Sequence, residues 1–154
     1  MIGGGWLRPT TSPQPTLEEA LSFTPYLFFV GTCREAMTAY QGIFGGQLDL
    51  LTAADMPDAP PDVPAGAIMH AALVLDGGGL LMASDDPSAT DAPKVGVSVS
   101  YAATDSDDAA RVFEALSTDG EVQVPLGPTS WSPAFGVCVD RFGTPWMVGA
   151  NPAE

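Results

Sequence analysis

His70 is the only histidine of this 154-residue chain, and Cys33 and Cys138 are its only cysteines. Histidine, thiolate and carboxylate groups carry most acid–base, nucleophilic and metal chemistry, so the options are few. A divalent ion acting as a Lewis acid needs several His or carboxylate donors converging at about 2.0–2.2 Å. With one histidine, such a site would have to recruit carboxylates, and Asp85 and Asp86, just past a strand end, are the candidates. The plainer readings of His70 are a strand residue hydrogen-bonded to a neighbour, or a polar contact lining a pocket. Cys33 directly follows a helix N-cap, where a thiol pKa falls in principle, so it reads either as a reactive thiol or as a packed one. Cys33 and Cys138 form no CxxC pair and no disulfide framework. The serines lack a GxSxG elbow. Gly77-Gly78-Gly79 lacks the lysine and following helix of a phosphate loop and reads as a hairpin turn. Asp105 to Asp108 lacks the spacing of a calcium loop and reads as a solvated helix start.

The charge narrows the partners. Five Lys+Arg stand against 19 Asp+Glu, a net charge of −14, and Lys94 is the only lysine. Nucleic-acid binding needs clustered cations to displace counterions from phosphates, and they are missing here. An anionic membrane surface is disfavoured for the same reason. At long range, a basic or amphipathic ligand is favoured. The 45% hydrophobic content predicts a globular chain rather than a disordered one. No apolar run approaches the roughly 20 residues that span a bilayer. The first residues lack the basic and apolar regions of a signal peptide, and a cytoplasmic location is expected.

These groups must be positioned by short elements, because Gly and Pro together make up 32 residues. Residues 1–22 read as a flexible extension, with a helical turn at 16–21. Strands are predicted over residues 23–30, 47–54, 67–75 and 79–84, with a helix over 32–44. Thr32 and Glu35 suggest a capping box, and Ala36, Ala39, Tyr40 and Ile43 a buried stripe. After a polar linker the order repeats. Strands are predicted over 95–103, 121–126, 135–139 and 144–150, with an Asp105-capped helix to 118 and a stripe of Ala109, Val112, Phe113 and Leu116. The helices align at an offset of 73, the first strands keep it, and Leu81-Met82 aligns with Trp146-Met147 at 65. The expected fold is α+β. Two βαβββ modules, residues 23–85 and 95–151, form a curved mixed sheet around a cleft, and 152–154 is a tail.

Paired βαβββ modules resemble the vicinal oxygen chelate superfamily, which includes glyoxalase I, extradiol dioxygenases and bleomycin-resistance proteins. The local words resemble its PhnB-like branch. They are Thr24-Pro-Tyr-Leu-Phe-Phe, Glu35-Ala36 with Tyr40, Met69-His70-Ala71, Leu81-Met82-Ala83-Ser84-Asp85, Trp131, and Phe135-Gly136 through Asp140-Arg141-Phe142-Gly143 to Trp146-Met147. The likeness spans about residues 23–151. It implies a homodimer with clefts at or near the interface. It also implies four metal-ligand positions, which fall on Pro25, Met82, Ser98 and Met147. Proline and methionine do not hold a hard or borderline ion, so no cofactor is expected and the classical metal site looks absent. Period-2 alternation adds Leu27, Ser84, Ser100 and Gly149 to the cleft, with Trp131 over its mouth. The leading expectation is a metal-free protein that binds a small, partly apolar organic molecule. One alternative is a glyoxalase- or dioxygenase-type enzyme holding a divalent ion at a displaced site with His70. The other is a structural or interaction homodimer.

Overall fold

β-Branched and aromatic residues in alternation build most of the strands, and each helix lays one apolar stripe over a sheet. The computed structural model describes residues 22–152, so the expected extension, Ser22 apart, and the end of the tail lie outside it. The order is β1 (Tyr26–Phe29), α1 (Cys33–Phe44), β2 (Gln47–Thr52), β3 (Ile68–Val74), β4 (Leu80–Asp85), then β5 (Val99–Ala103), α2 (Ser106–Ser117), β6 (Glu121–Gly127), β7 (Phe135–Val139) and β8 (Pro145–Ala150). This is the expected α+β fold of two βαβββ modules. The expected curved sheet resolves into two four-stranded mixed sheets, β1-β4-β3-β2 and β5-β8-β7-β6. In each, the first pair is parallel and the rest are antiparallel. Among the described residues, no helix is long and apolar enough to cross a membrane.

The first strands are shorter than expected. β1 starts at Tyr26, and Gly96 at φ 77 turns the chain before β5 begins at Val99. The repeat also departs from one constant offset. The helices do differ by 73, but Phe29 and Ala103, which end β1 and β5, differ by 74. Three residues link β1 to α1, whereas two link β5 to α2. The pairing agrees: Tyr26 faces Met82 in the first sheet, and Ser100 faces Met147 in the second. The counterpart of Pro25 is therefore Val99, not Ser98.

The caps differ as well. Asp105 accepts the Asp108 N–H at 2.8 Å, as expected, but Thr32 makes no side-chain cap. The first N–H of α1 is taken from across the module. Asp85 accepts Cys33 N–H at 3.0 Å and Ile68 N–H at 2.9 Å, one on each carboxylate oxygen. The end of β4 is thereby tied to both α1 and β3, and Glu35 is left to face Arg141 at 3.9 Å on the surface. The buried stripe of α1 is Cys33, Ala36, Met37 and Tyr40, rotated from the expected one, and Ala39 and Ile43 line a small cavity beside α2 instead.

The modules meet through aromatic side chains and one buried carboxylate. Phe44 packs on Tyr101 and Trp146, with ring centres 4.9 and 5.3 Å apart, and Tyr40 meets Trp146 edge-on at 5.3 Å. Arg111 on α2 donates to the Ile43 carbonyl on α1 at 2.7 Å. Asp140, in the β7–β8 turn, accepts from Tyr40 of the first module.

Gly46 and Gly120 enter β2 and β6 at equivalent places, and each backbone lies against a neighbouring strand. A Cβ at Gly120 would sit 2.2 Å from the Val139 carbonyl oxygen, and one at Gly46 would sit 2.2 Å from that of Val74. Gly46 is in addition at φ +86. Gly46→Ala should therefore cost at least about 2 kcal/mol in urea unfolding, since strain at positive φ and the clash add. Gly42→Ala, with open space around the glycine, is the control and should be neutral or stabilising.

Candidate functional site

Each sheet buries one face against the helices and leaves the other open. In β1, Leu27 and Phe29 are buried while Tyr26 and Phe28 are exposed. In β4, Leu81 and Ala83 join the core, and Met82 and Ser84 take the opposite face. The strand pairing aligns these residues into rows. Tyr26, Met82, Ala72 and Asp49 run across the first open face. Ser100, Met147, Val137 and Val124 run across the second. Met82 and Met147 hold equivalent central positions, both half-buried. Leu51, opposite His70 on β2, and Phe28 flank the first row, at 40% and 46% exposed.

His70 stands on the first open face. Its Nδ1 is 3.0 Å from the Tyr26 hydroxyl, and the two rings lie 5.7 Å apart. Ser84 is buried on the same face as Met82. On the second face Ser100 neighbours Met147, and Trp131, 64% exposed, meets Phe135 edge-on at 5.7 Å. Leu27 faces the core rather than the open face, at 6% exposed, because the one-residue difference in the βα connections shifts the alternation of β1. Tyr26 and Phe28 stand where Leu27 was expected. Alternation counted from Met82 through the parallel pair would have found them.

Pro25, Leu27 and Ser98 instead share a cavity at the seam between the modules, where β1 and the starts of β5 and β8 approach. It measures about 770 Å³ and is also lined by Tyr26, Val97, Pro145 and Lys94. A second cavity of about 620 Å³ lies on the other side of Pro25, against Ser100, Tyr101 and Trp146. Lys94, which the sequence did not mark as a site residue, lies with its ammonium 4.3 Å above the Phe29 ring. Burial lowers its pKa from the usual lysine value, against a smaller opposing effect of the Asp140 charge.

Among the described residues, the donors needed for a metal are not assembled. The positions that the resemblance marked for metal ligands, Pro25, Met82, Ser98 and Met147, carry prolyl, thioether and hydroxyl side chains. Asp85 spends both oxygens on backbone N–H groups. Asp86 is bound to the Ser88 hydroxyl and N–H, which lower its pKa. Among the described residues, no three His, Cys, Asp or Glu side chains converge. The thiols are placed for packing. Burial, then the Asp85 charge, pushes Cys33 up to about 12. Burial, then Asp140, pushes Cys138 up to about 11. The reactive reading of Cys33 is therefore corrected, since desolvation outweighs the helix dipole.

Comparison with known proteins fits this geometry. Residues 21–149 match the family model described as 3-demethylubiquinone-9 3-methyltransferase. The chain belongs to this family. The solved structure of protein PA1353 from Pseudomonas aeruginosa is similar to it, with 44% identity and a TM-score of 0.77 over 85% of this chain and 98% of that one. Protein YjdN of Escherichia coli (strain K12) is 29% identical over 83% of this chain and 94% of its own length. The Bacillus cereus structure titled putative 3-demethylubiquinone-9 3-methyltransferase, PhnB protein, shares 26% identity with a TM-score of 0.67, over 84% of this chain and 98% of that one. A glyoxylase/bleomycin resistance protein/dioxygenase domain from Frankia sp. EAN1pec shares the fold at 12% identity and a TM-score of 0.60, over 85% and 92%. The chain is thus a PhnB-like member of the 3-demethylubiquinone-9 3-methyltransferase family, with the fold of the vicinal oxygen chelate proteins.

Proposed function

We propose that the protein binds a small, partly apolar organic molecule, without a metal, in clefts that two copies of the chain build together. The observation that carries this reading is the placement of Met82 and Met147. They occupy the centres of the two open faces, where a metal enzyme of this fold would need hard donors, and thioethers are adaptable apolar surface instead. Around them stand Tyr26, Phe28 and Leu51 on one face, and Val124, Val137 and Trp131 on the other. A second copy would cover this apolar surface and enclose the space above it. The test combines three measurements. Sedimentation should give a dimer. Metal analysis should find less than about a tenth of an equivalent per chain, since zinc affinity needs several His or Cys donors. A thermal-shift screen of small apolar molecules should find hits, and Met147→Arg should abolish them while leaving the circular dichroism spectrum unchanged. A stoichiometric divalent ion, or a screen with no hits, would sink the reading.

A catalytic reading is favoured by the Tyr26–His70 hydrogen bond on the open face, because a tyrosine and an imidazole in contact can pass a proton. It requires a product and a loss of turnover in His70→Ala. A ligand that is bound but never altered decides against it.

A further inference from the structure

We propose that the seam cavity beside β1 is a binding site for a small amphiphilic anion, with Lys94 and Ser98 holding a carboxylate head and the apolar wall of the cavity holding the tail. The proposal goes beyond the small-molecule reading, since neither Met82 nor Met147 lines this cavity. It also reverses the expectation that the charge of the whole chain sets. A net charge of −14 attracts cations from a distance, but salt screens exposed charges beyond about 8–10 Å. Inside a cavity the nearest desolvated charge decides, and here it is the only lysine.

Lys94 has no carboxylate of its own. It belongs to none of the ion pairs within 4.0 Å among the described residues, which join Arg111 to Asp108 and Arg141 to Glu35. Asp140 is the carboxylate whose charge reaches it, but both Asp140 oxygens are spent. One accepts from Phe142 and Thr144 N–H, the other from the Tyr40 hydroxyl and the Trp146 indole. Asp91, Asp119 and Glu121 share with Lys94 the lining of a neighbouring cavity of about 380 Å³, and none of them comes within ion-pair distance. The backbone holds the lysine in place, with its N–H donating to the Gly143 carbonyl at 2.9 Å. The ammonium is thus half-buried, fixed at its root, and offset by the face of Phe29 and, beyond ion-pair distance, by the Asp140 charge.

The second observation is independent of charge. Ser98 lines the same cavity, and its Oγ is buried with no hydrogen-bond partner. Buried hydroxyls are almost always partnered, so an orphan marks a place where another molecule completes the set. A carboxylate can answer both groups, one oxygen accepting from the ammonium and the other from the hydroxyl once Ser98 turns its side chain toward the cavity. Most of the remaining lining is apolar: Phe23, Pro25, Phe28, Val97, Val99 and Pro145. That composition suits an alkyl or aryl tail rather than a sugar or a nucleotide, and about 770 Å³ is within the range of small-molecule pockets.

The test is isothermal titration of the full chain with three probes of one tail, octanoate, octan-1-ol and octylammonium, in 0.1 M salt. Octanoate should bind at least roughly tenfold more tightly than the other two. Lys94→Met should weaken octanoate by about tenfold and octan-1-ol by less than about twofold, Lys94→Arg should keep most of the preference, and Ser98→Ala should weaken octanoate by about threefold. Should Lys94→Met fail to fold, the ranking of the three probes on the unaltered protein still decides. Octylammonium or octan-1-ol binding as well as octanoate, or full octanoate affinity in Lys94→Met or Ser98→Ala, overturns the proposal and leaves the small-molecule reading standing. Failure of all three probes, with no hit in the thermal-shift screen, overturns both.

Discussion

Asp140→Ala is expected to lower stability by about 4 kcal/mol in urea unfolding at pH 7, a large fraction of what a domain of this size has. Asp140 is 6% exposed and makes no ion pair within 4.0 Å among the described residues, so hydrogen bonds stabilise its carboxylate. One oxygen accepts Phe142 N–H at 2.8 Å and Thr144 N–H at 3.0 Å, which closes the β7–β8 turn. The other accepts the Tyr40 hydroxyl at 2.5 Å and the Trp146 indole N–H at 2.8 Å. Each buried donor left without a partner costs about 1–3 kcal/mol. Tyr40 can turn to Thr144 Oγ1, already 3.0 Å away, but the Trp146 N–H and the two turn N–H groups have no such alternative. Asp140→Asn keeps the oxygen that the turn needs and sets an NH₂ against two donors, so it should cost less, about 2 kcal/mol. Tyr40→Phe should cost about 1–2 kcal/mol, and combined with Asp140→Ala it should fall short of the sum of the two single losses. A loss below about 1 kcal/mol in Asp140→Ala would mean that this contact does not hold the modules together.

The same network explains how the two open faces keep their relation. Tyr40 comes from α1 and Asp140 from the second module, and Trp146, between them, belongs to β8, which carries Met147 on its other face. Loosening the junction should therefore weaken the binding proposed for these faces even though no junction residue stands on an open face.

Much of the fold was legible in the sequence because period and punctuation agreed. The α2 stripe of Ala109, Val112, Phe113 and Leu116 is buried as expected, and Asp105 caps the helix. β7 runs from Phe135 to Val139 as predicted. What failed did so for long-range reasons. Thr32 and Glu35 have the right spacing for a capping box, but Asp85, 52 residues from Cys33, reaches the helix end first. No local pattern reports that competition. The one-residue difference between the βα connections is invisible while a single offset is carried from helix to strand, and it alone put Leu27 on the wrong face. Met82 and Met147 hold equivalent register positions because β4 and β8 align at 65 without a gap. Lys94 was read as a count rather than a position, since being the only lysine says nothing about where its ammonium lies.

Raising the pH should destabilise the protein progressively from about pH 9 upward. Cys33 rises from 9.0 to about 12 on folding, and Cys138 from 9.0 to about 11, mainly through burial. A thiol with a raised pKa keeps its proton in the folded state while the unfolded chain gives it up. The folded state then binds more protons, and stability falls as pH rises. The loss starts near pH 9, runs at about 1.4 kcal/mol per pH unit for each thiol, and ends near the folded value of each. Cys138 accounts for about 3 kcal/mol by pH 11 and Cys33 for about 4 kcal/mol by pH 12. Tyr40, raised well above 10.0 by burial and then by Asp140, adds to the loss above pH 10 with the same sign. Lys94 acts the other way: its pKa is lowered on folding, so its contribution grows with pH below the unfolded value of 10.5 and partly offsets the thiols. Urea unfolding under reducing conditions at pH 8, 9.5 and 11 reads the slope directly. Cys33→Ala with Cys138→Ala should lower the starting stability, because two packed side chains are truncated, and should flatten the slope between pH 9 and 10. The slope rather than the level carries the argument, because cavity costs do not depend on pH. A double variant as steep as the unaltered protein would place the alkaline transition elsewhere, with Tyr40 the next group to test.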